Sequence, residues 1–268
     1  MDNNKDSMKN IVIVALSLCL VSAIIVSGSA VALKPLRLAN KALDRNKNIL
    51  IAAGLFEKNV TAESKIDELF KEFEVRLVDL EDNRLLTDDE TAALGIDLNQ
   101  YDQRKAAKDT SISMELTRDQ DVASISRRAR YSVAYLLKKQ GSIETIVLPV
   151  HGYGLWSTLY GFIALERDLN TVSGITFYEH QETAGLGGEV DNPRWKDGWV
   201  GKQIYGADGR VALRVIKGSV NPASGNAVHQ IDGLSGASLT SRGVENLIAF
   251  WLGKDGFGPV LDSLKGQG

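Results

Sequence analysis

The order of apolar and polar residues divides the chain into an uncharged N-terminal run and a mixed remainder. Residues 11–33 contain no charged side chain. A helix of this length, at about 1.5 Å per residue, covers the roughly 30 Å hydrocarbon core of a bilayer, so the run predicts one membrane-spanning helix. A cleaved signal peptide is the alternative, because Lys5 and Lys9 precede the run and Ala30 and Ala32 fit a cleavage site. The run exceeds the roughly 7–15 apolar residues of a typical signal sequence, which favours an uncleaved anchor.

Helical spacing continues beyond this run. Residues 36–55 place apolar side chains three, four and seven positions apart, which predicts a helical stalk. Residues 64–73 repeat the spacing behind a capping signature at Ser64 and Asp67, and residues 73–77 alternate as in a strand. We therefore expect an N-terminal tail (1–10), a transmembrane helix (11–33), a helical stalk (34–60) and one soluble domain (61–268).

The second half of the chain has short β-like runs separated by glycines. The expected strands are residues 145–149, 157–165, 172–179 and 211–216, with a hairpin turn at 207–210. An apolar stripe over residues 244–252 predicts an amphipathic helix that ends near Gly253. The expected fold class is α+β, with a single N-terminal transmembrane helix followed by a soluble domain.

Charge and cysteine content exclude several functions. The formal net charge is −3, which gives no basic field for nucleic acid. The single cysteine, Cys19, lies within the apolar run, so the soluble part has no disulfide and no cysteine-ligated metal site. More basic residues follow the run than precede it, which by the positive-inside rule would place the domain in the cytoplasm. That rule weakens for long translocated domains, so charge leaves the topology open.

The segment 229–242 carries the most informative chemistry. It contains four hydroxyl residues and two glycines directly before the amphipathic helix. Free N–H groups and the positive end of the helix dipole stabilise a phosphate at such an entrance, and glycines allow close approach of the backbone. The pattern predicts a phosphate site, with simple helix capping by the hydroxyl residues as the alternative.

A resemblance to a known family begins in this segment. Residues 232–238 read Asp-Gly-Leu-Ser-Gly-Ala-Ser and resemble the flavinylation motif Asp-x-x-Ser/Thr-Gly-Ala-Thr, at which a flavin transferase attaches FMN through its phosphate to the last hydroxyl residue. Ser238 stands where the family has threonine, and Thr240 and Ser241 are alternative acceptors nearby. The chain resembles, almost end to end, the C subunit of the Na+-translocating NADH:quinone reductase, through residues 34–36, 40–45, 48–55, 148–156 and 182–187 as well.

This resemblance implies roles for the motif residues. Ser238 would carry covalent FMN, with Ser235, Gly236 and Ala237 completing the motif where the flavin phosphate approaches. Asp232 would orient the metal-bound FAD donor of the transferase, or cap the loop as an Asx turn.

Two other blocks would face the flavin ring. Leu155 and Trp156 would pack against the isoalloxazine, the alternative being ordinary core at a strand start. Glu182, Thr183 and Gly185 would belong to the flavin site, and Thr183 would hydrogen-bond the polar edge of the flavin, the alternative being a plain turn residue.

The implied function is a membrane-anchored flavoprotein that relays single electrons through covalent FMN within the sodium-pumping NADH:ubiquinone reductase complex. The implied partners are the other subunits, the flavin transferase during maturation and the bacterial inner membrane, with the large domain in the periplasm. The sequence has no nucleotide-binding fingerprint, so NADH would bind to another subunit. The G subunit of an Rnf-type electron transport complex and a flavin-free anchoring or interaction subunit are the alternatives.

Overall fold

The computed structural model describes residues 8–57 and 60–265, so most of the expected tail and the end of the chain lie outside the described residues. The chain has two compact units, residues 1–44 and 45–268. The first unit contains α1 (Met8–Ala32), which has no buried residue. Among the described residues, α1 is the one helix that is long and apolar enough to cross a membrane. The helix expected over residues 11–33 is thus confirmed, with its start three residues earlier.

The next helix, α2 (Lys34–Ala52), confirms the helical pattern expected over residues 36–55 but ends sooner. Gly54 has a φ of 72°, and the N–H groups of Leu55 and Gly54 bond the carbonyls of Leu50 and Ile51. This is a Schellman motif, which closes a helix through a left-handed residue. The helix therefore cannot continue to Leu55.

The second unit is built on one antiparallel sheet of six strands in the order β2-β1-β5-β6-β7-β8. The strands are β1 (Phe73–Asp79), β2 (Arg84–Leu85), β5 (Tyr131–Lys139), β6 (Ser142–Tyr153), β7 (Thr158–Glu166) and β8 (Val172–Glu179). Two small pairs lie outside it, β3 (Ser113–Glu115) with β4 (Arg127–Ala129) and β9 (Arg214–Val215) with β10 (Gln230–Ile231). The α+β prediction is confirmed.

The remaining helices are short except one. They are α3 (Ile66–Phe70), α4 (Asp88–Ala93), α5 (Gln103–Ala106), α6 (Pro193–Asp197), α7 (Ser238–Trp251) and α8 (Gly258–Lys265). Short 3₁₀ turns occupy Glu63–Lys65, Gly187–Asp191 and Ala227–His229. The amphipathic helix expected at 244–252 is confirmed as the second half of α7. The helix expected over 64–73 is confirmed only in part, because β1 already begins at Phe73.

The strand expected at 211–216 is wrong in length. Only Arg214–Val215 form a strand, while Tyr205 and Val211 meet in an isolated antiparallel bridge. The turn expected at 207–210 is confirmed, since Gly209 has a φ of 73° and the N–H of Gly206 bonds the carbonyl of Arg210. Residues 212–213 bond back to Ile204 instead of extending a ladder.

Helix α7 packs tightly against the end of β6. A Cβ on Gly152 would lie 2.6 Å from Cβ of Leu247, and one on Gly243 would lie 2.5 Å from the carbonyl oxygen of Tyr153. Both distances are below ordinary van der Waals contact, so only glycine fits at either position. The two glycines therefore bring the loop that follows β6 close to the first turn of α7.

Candidate functional site

Three segments that are distant in sequence meet around one buried carboxylate. Oε1 of Glu182 accepts the N–H groups of Leu155, Trp156 and Ser157 at 3.1, 3.0 and 3.2 Å. Oε2 accepts the hydroxyl of Thr240 at 2.7 Å. The loop after β6, the segment after β8 and the first turn of α7 are thus joined through a single side chain.

The Glu182 side chain is ionised in this environment. Burial raises its pKa, but the hydrogen bonds from Thr240 and from the three backbone N–H groups outweigh burial and hold the pKa below its ordinary value. The expectation that Glu182 belongs to the site therefore gains a physical role. Its carboxylate is engaged by donors of the chain itself.

Two glycines permit this close meeting of segments. A Cβ on Gly187 would lie 2.5 Å from Oγ1 of Thr240 and 2.7 Å from Oε2 of Glu182. A Cβ on Gly154 would lie 2.7 Å from Oε1 of Glu182. Gly185 serves a different purpose, because it has a φ of 75° in a turn where nothing crowds its Cβ position. The carbonyl of Thr183 closes this turn by accepting the N–H groups of Leu186 and Gly188, and the Thr183 side chain is exposed.

The hydroxyl residues before and in α7 have different environments. Ser238 is the first residue of the helix and is exposed, as is Ser235. Thr240 and Ser241 are buried, and Oγ of Ser241 accepts the N–H of Leu234 at 2.9 Å. The capping alternative is wrong for this helix, because its N-cap residue is Ala237, which makes no side-chain cap. The N-cap residue therefore leaves the first-turn N–H groups of α7 without a side-chain acceptor.

Exposed apolar side chains occur in each of the three segments of the site. Trp156 is 65% exposed, so the alternative that it is ordinary core is wrong, whereas Leu155 is half-buried. Leu186 and Leu239 are also exposed. A Cβ on Gly236, which has a φ of 71°, would lie 2.9 Å from Cδ2 of Leu186. Sequence reasoning missed Leu186 and Leu239, although isolated large apolar residues in a glycine-rich polar stretch are a usable signal.

Asp232 has contacts outside the loop. Its Oδ1 accepts the N–H of Val220 at 2.8 Å, and its carbonyl accepts the indole N–H of Trp195 at 2.8 Å. The N–H of Leu234, which an Asx turn would use, bonds Ser241 instead. The Asx-turn alternative for Asp232 is therefore wrong.

The residues at the entrance fit a phosphorylated flavin. An exposed hydroxyl, uncapped first-turn N–H groups and the positive end of a helix dipole suit a phosphate, and exposed apolar side chains suit an aromatic ring system. Leu186 packs against the backbone of Gly236, two residues before Ser238, at the position that a Cβ would occupy.

Comparisons with known proteins agree with this geometry. A family model described as the FMN-binding domain matches residues 154–253, which contain the three segments of the site. The C subunit of the Na(+)-translocating NADH-quinone reductase from Pseudomonas aeruginosa is 51% identical over 98% of both chains. Its counterpart from Vibrio alginolyticus is 45% identical over 99% of this chain and 98% of its own length.

A solved structure extends the likeness to the fold. The crystal structure of Shewanella oneidensis NqrC aligns with a TM-score of 0.75 and 31% identity, over 85% of this chain and 99% of that one. The sequence, the fold and the site agree. The chain therefore belongs to the NqrC family, the C subunits of the Na(+)-translocating NADH-quinone reductase.

Proposed function

We propose that Ser238 carries FMN as a phosphoester and that the chain relays single electrons within the sodium-translocating NADH-quinone reductase complex. Membership of the NqrC family and the FMN-binding domain make the chain a flavin-dependent electron-transfer subunit of that complex. Beyond this family-level function, we propose that the FMN is covalently attached, that electrons are transferred singly and that they are delivered towards ubiquinone. When bound, the flavin supplies the redox chemistry, since it accepts and releases electrons one at a time.

One observation carries the choice of Ser238. Its hydroxyl is exposed at the first residue of α7, whereas the alternatives Thr240 and Ser241 are buried and hydrogen-bonded. A transferase acting on the folded chain can reach Ser238 without disturbing either bond. Serine and threonine undergo the same reaction, because each presents one hydroxyl oxygen to phosphorus.

The attachment step balances with FAD as the donor. Oγ of Ser238 forms a bond to the phosphorus of the FMN half, the bond from that phosphorus to the bridging oxygen breaks, and AMP leaves while the hydroxyl proton is released. We propose that a flavin transferase catalyses this step during maturation and that Asp232, exposed near the acceptor, faces its metal-bound donor. The chain itself contributes by presenting the Ser238 hydroxyl to the transferase.

The entrance of α7 stabilises the product of this step. A phosphate beside the first turn is favoured by the helix dipole by about 0.3–1 kcal/mol, and up to about 2 kcal/mol where it is partly buried. Trp156, Leu186 and Leu239 provide apolar area against which a flavin ring excludes water. Thr183, exposed in the neighbouring turn, is placed to donate its hydroxyl to a polar edge of the ring.

The membrane location is also a proposal. We propose that α1 anchors the chain in the bacterial inner membrane and that the domain lies in the periplasm, where it meets other subunits of the complex. The length and apolar composition of α1 support the anchor. A covalent tether suits an exported domain, because free FMN lost there is not readily recovered. A periplasmic reporter fused after Gly268 is expected to be active, and activity of a cytoplasmic reporter alone would reverse the orientation.

Intact-mass analysis tests the covalent bond. The full chain, produced together with a flavin transferase, is expected to carry one added FMN minus water and to fluoresce in a denaturing gel. Both signals should vanish in Ser238→Ala and persist in the matched control Ser64→Ala, which removes an exposed hydroxyl outside the motif. An unmodified wild-type mass would refute covalent attachment and favour a flavin-free role, and persistence in Ser238→Ala would move the bond to another hydroxyl.

A further inference from the structure

The Glu182 carboxylate is used entirely by the chain itself. Its side chain is 8% exposed, and three backbone N–H groups and a serine hydroxyl at 3.4 Å surround Oε1. The hydroxyl of Thr240 occupies Oε2. A carboxylate with this many inward donors is poorly placed to bind a ligand as well, so its role in the site is indirect.

This anion is also held without a cation. Within the described ranges, no lysine, arginine or histidine side chain forms an ion pair with Glu182. Its stabilisation comes from dipoles, chiefly N–H groups of the loop after β6, and from the Thr240 hydroxyl in the first turn of α7. Burial of a carboxylate that has hydrogen-bond donors but no paired cation costs free energy unless every donor is in place. The carboxylate and its donors therefore fix one another.

The donors belong to the two parts of the site that must act together. Trp156, whose N–H bonds Glu182, presents its indole to solvent on the loop. Thr240 lies two residues after Ser238, on the same helical turn. Gly154 and Gly187 bring loop and helix so close to Glu182 that neither accepts a Cβ. Glu182 thus joins the loop that bears Trp156 to the helical turn that begins with Ser238.

We infer that Glu182 is a positioning residue for the attached flavin. Its carboxylate locks the loop after β6, which bears Trp156, to the first turn of α7, which carries Ser238. The inference rests on the proposed function, since it concerns a flavin held at Ser238. A single phosphoester with its ribityl chain leaves the ring free to rotate. The ring becomes fixed only if the loop that bears Trp156 keeps a constant position relative to the phosphoester at Ser238. The Glu182 carboxylate holds that position constant by bonding both segments.

Two substitutions separate the hydrogen-bond geometry from simple loss of packing. Glu182→Ala removes every acceptor. Glu182→Gln keeps an oxygen for the N–H groups and offers an amide N–H to Oγ1 of Thr240, so it should restore the lock. The control is Asp79→Ala, because Asp79 is a buried carboxylate away from the site that accepts the N–H groups of Glu81 and Asp82 and also pairs with Arg130.

The measurements use the full chain in detergent, produced with the transferase. The readouts are visible circular dichroism and fluorescence anisotropy of the flavin, and hydrogen exchange of amides 155–157. In Glu182→Ala, exchange should be about tenfold faster or more, and the flavin signals should approach those of freely rotating FMN. Glu182→Gln should resemble the wild type. Asp79→Ala should lower the unfolding temperature and leave the flavin signals and the exchange of amides 155–157 unchanged.

The outcomes separate this inference from the proposed function. An unmodified wild-type chain overturns the proposed function. A wild type that carries FMN, together with Glu182→Ala whose flavin signals and amide exchange are unchanged, overturns only the positioning role. If Glu182→Gln is as impaired as Glu182→Ala, charge and not geometry is decisive, and the inference as stated fails. If Glu182→Ala receives no FMN, accelerated exchange at 155–157 supports the lock and unchanged exchange refutes it.

Discussion

Replacing Gly187 with alanine is expected to strain the contact between Glu182 and Thr240. The new Cβ would lie 2.5 Å from Oγ1 of Thr240 and 2.7 Å from Oε2 of Glu182, two atoms that share a 2.7 Å hydrogen bond. Neither atom is the free end of a flexible side chain, because both are buried and bonded. Overpacking of this kind costs about 1–3 kcal/mol, and separation of the bonded pair places this case in the upper half of that range.

The expected fall in unfolding temperature follows from that magnitude. A loss of about 2–3 kcal/mol corresponds to about 4–12 °C for a domain of this size. Thermal unfolding of the full chain, followed by near-ultraviolet circular dichroism, measures it. Gly225→Ala is the matched control, since nothing lies within 4 Å of its Cβ position, and its stability should change by no more than about 1 kcal/mol. Equal unfolding temperatures for the two variants would refute the close packing of Gly187 against the Glu182 carboxylate and the first turn of α7.

Two further predictions concern stability. Ser241→Ala leaves the buried N–H of Leu234 without its acceptor and should cost about 1–3 kcal/mol in urea unfolding, with flavin attachment unchanged; loss of attachment would show that Ser241 has a direct part in it. Burial, and secondarily the charge of Arg104, lowers the pKa of His151 from 6.5 to about 4, so the unfolded chain binds the extra proton first as pH falls. Stability should decline between about pH 6.5 and pH 4 through this group, and His151→Phe should flatten that part of the profile; an unaltered slope would assign the acid sensitivity elsewhere.

The apolar stripe in α7 could be predicted from the sequence because the helix buries mainly one face. Residues 172–179 coincide with β8 although residues 174–177 are all buried, because the run is rich in β-branched and aromatic residues. Strand β5 (Tyr131–Lys139) escaped prediction, since its first six residues are all buried at the centre of the sheet and leave no alternation to detect. The acceptor segment was identified through its motif, whereas the lock at Glu182 was not, because most of its donors are backbone N–H groups that every residue except proline possesses.

Burial of Thr240 and Ser241 has a consequence for the order of events during biogenesis. In an unfolded chain, all the hydroxyls of this segment compete equally for a modifying enzyme, and the stoichiometry of modification depends on the enzyme alone. Once the chain has folded, Thr240 and Ser241 are buried and hydrogen-bonded, and the exposed hydroxyl residues of the segment are Ser235 and Ser238, the first residue of the helix. For the proposed attachment at Ser238, folding before modification therefore reduces the accessible hydroxyls of the segment from four to two, so the chain itself narrows the choice of acceptor.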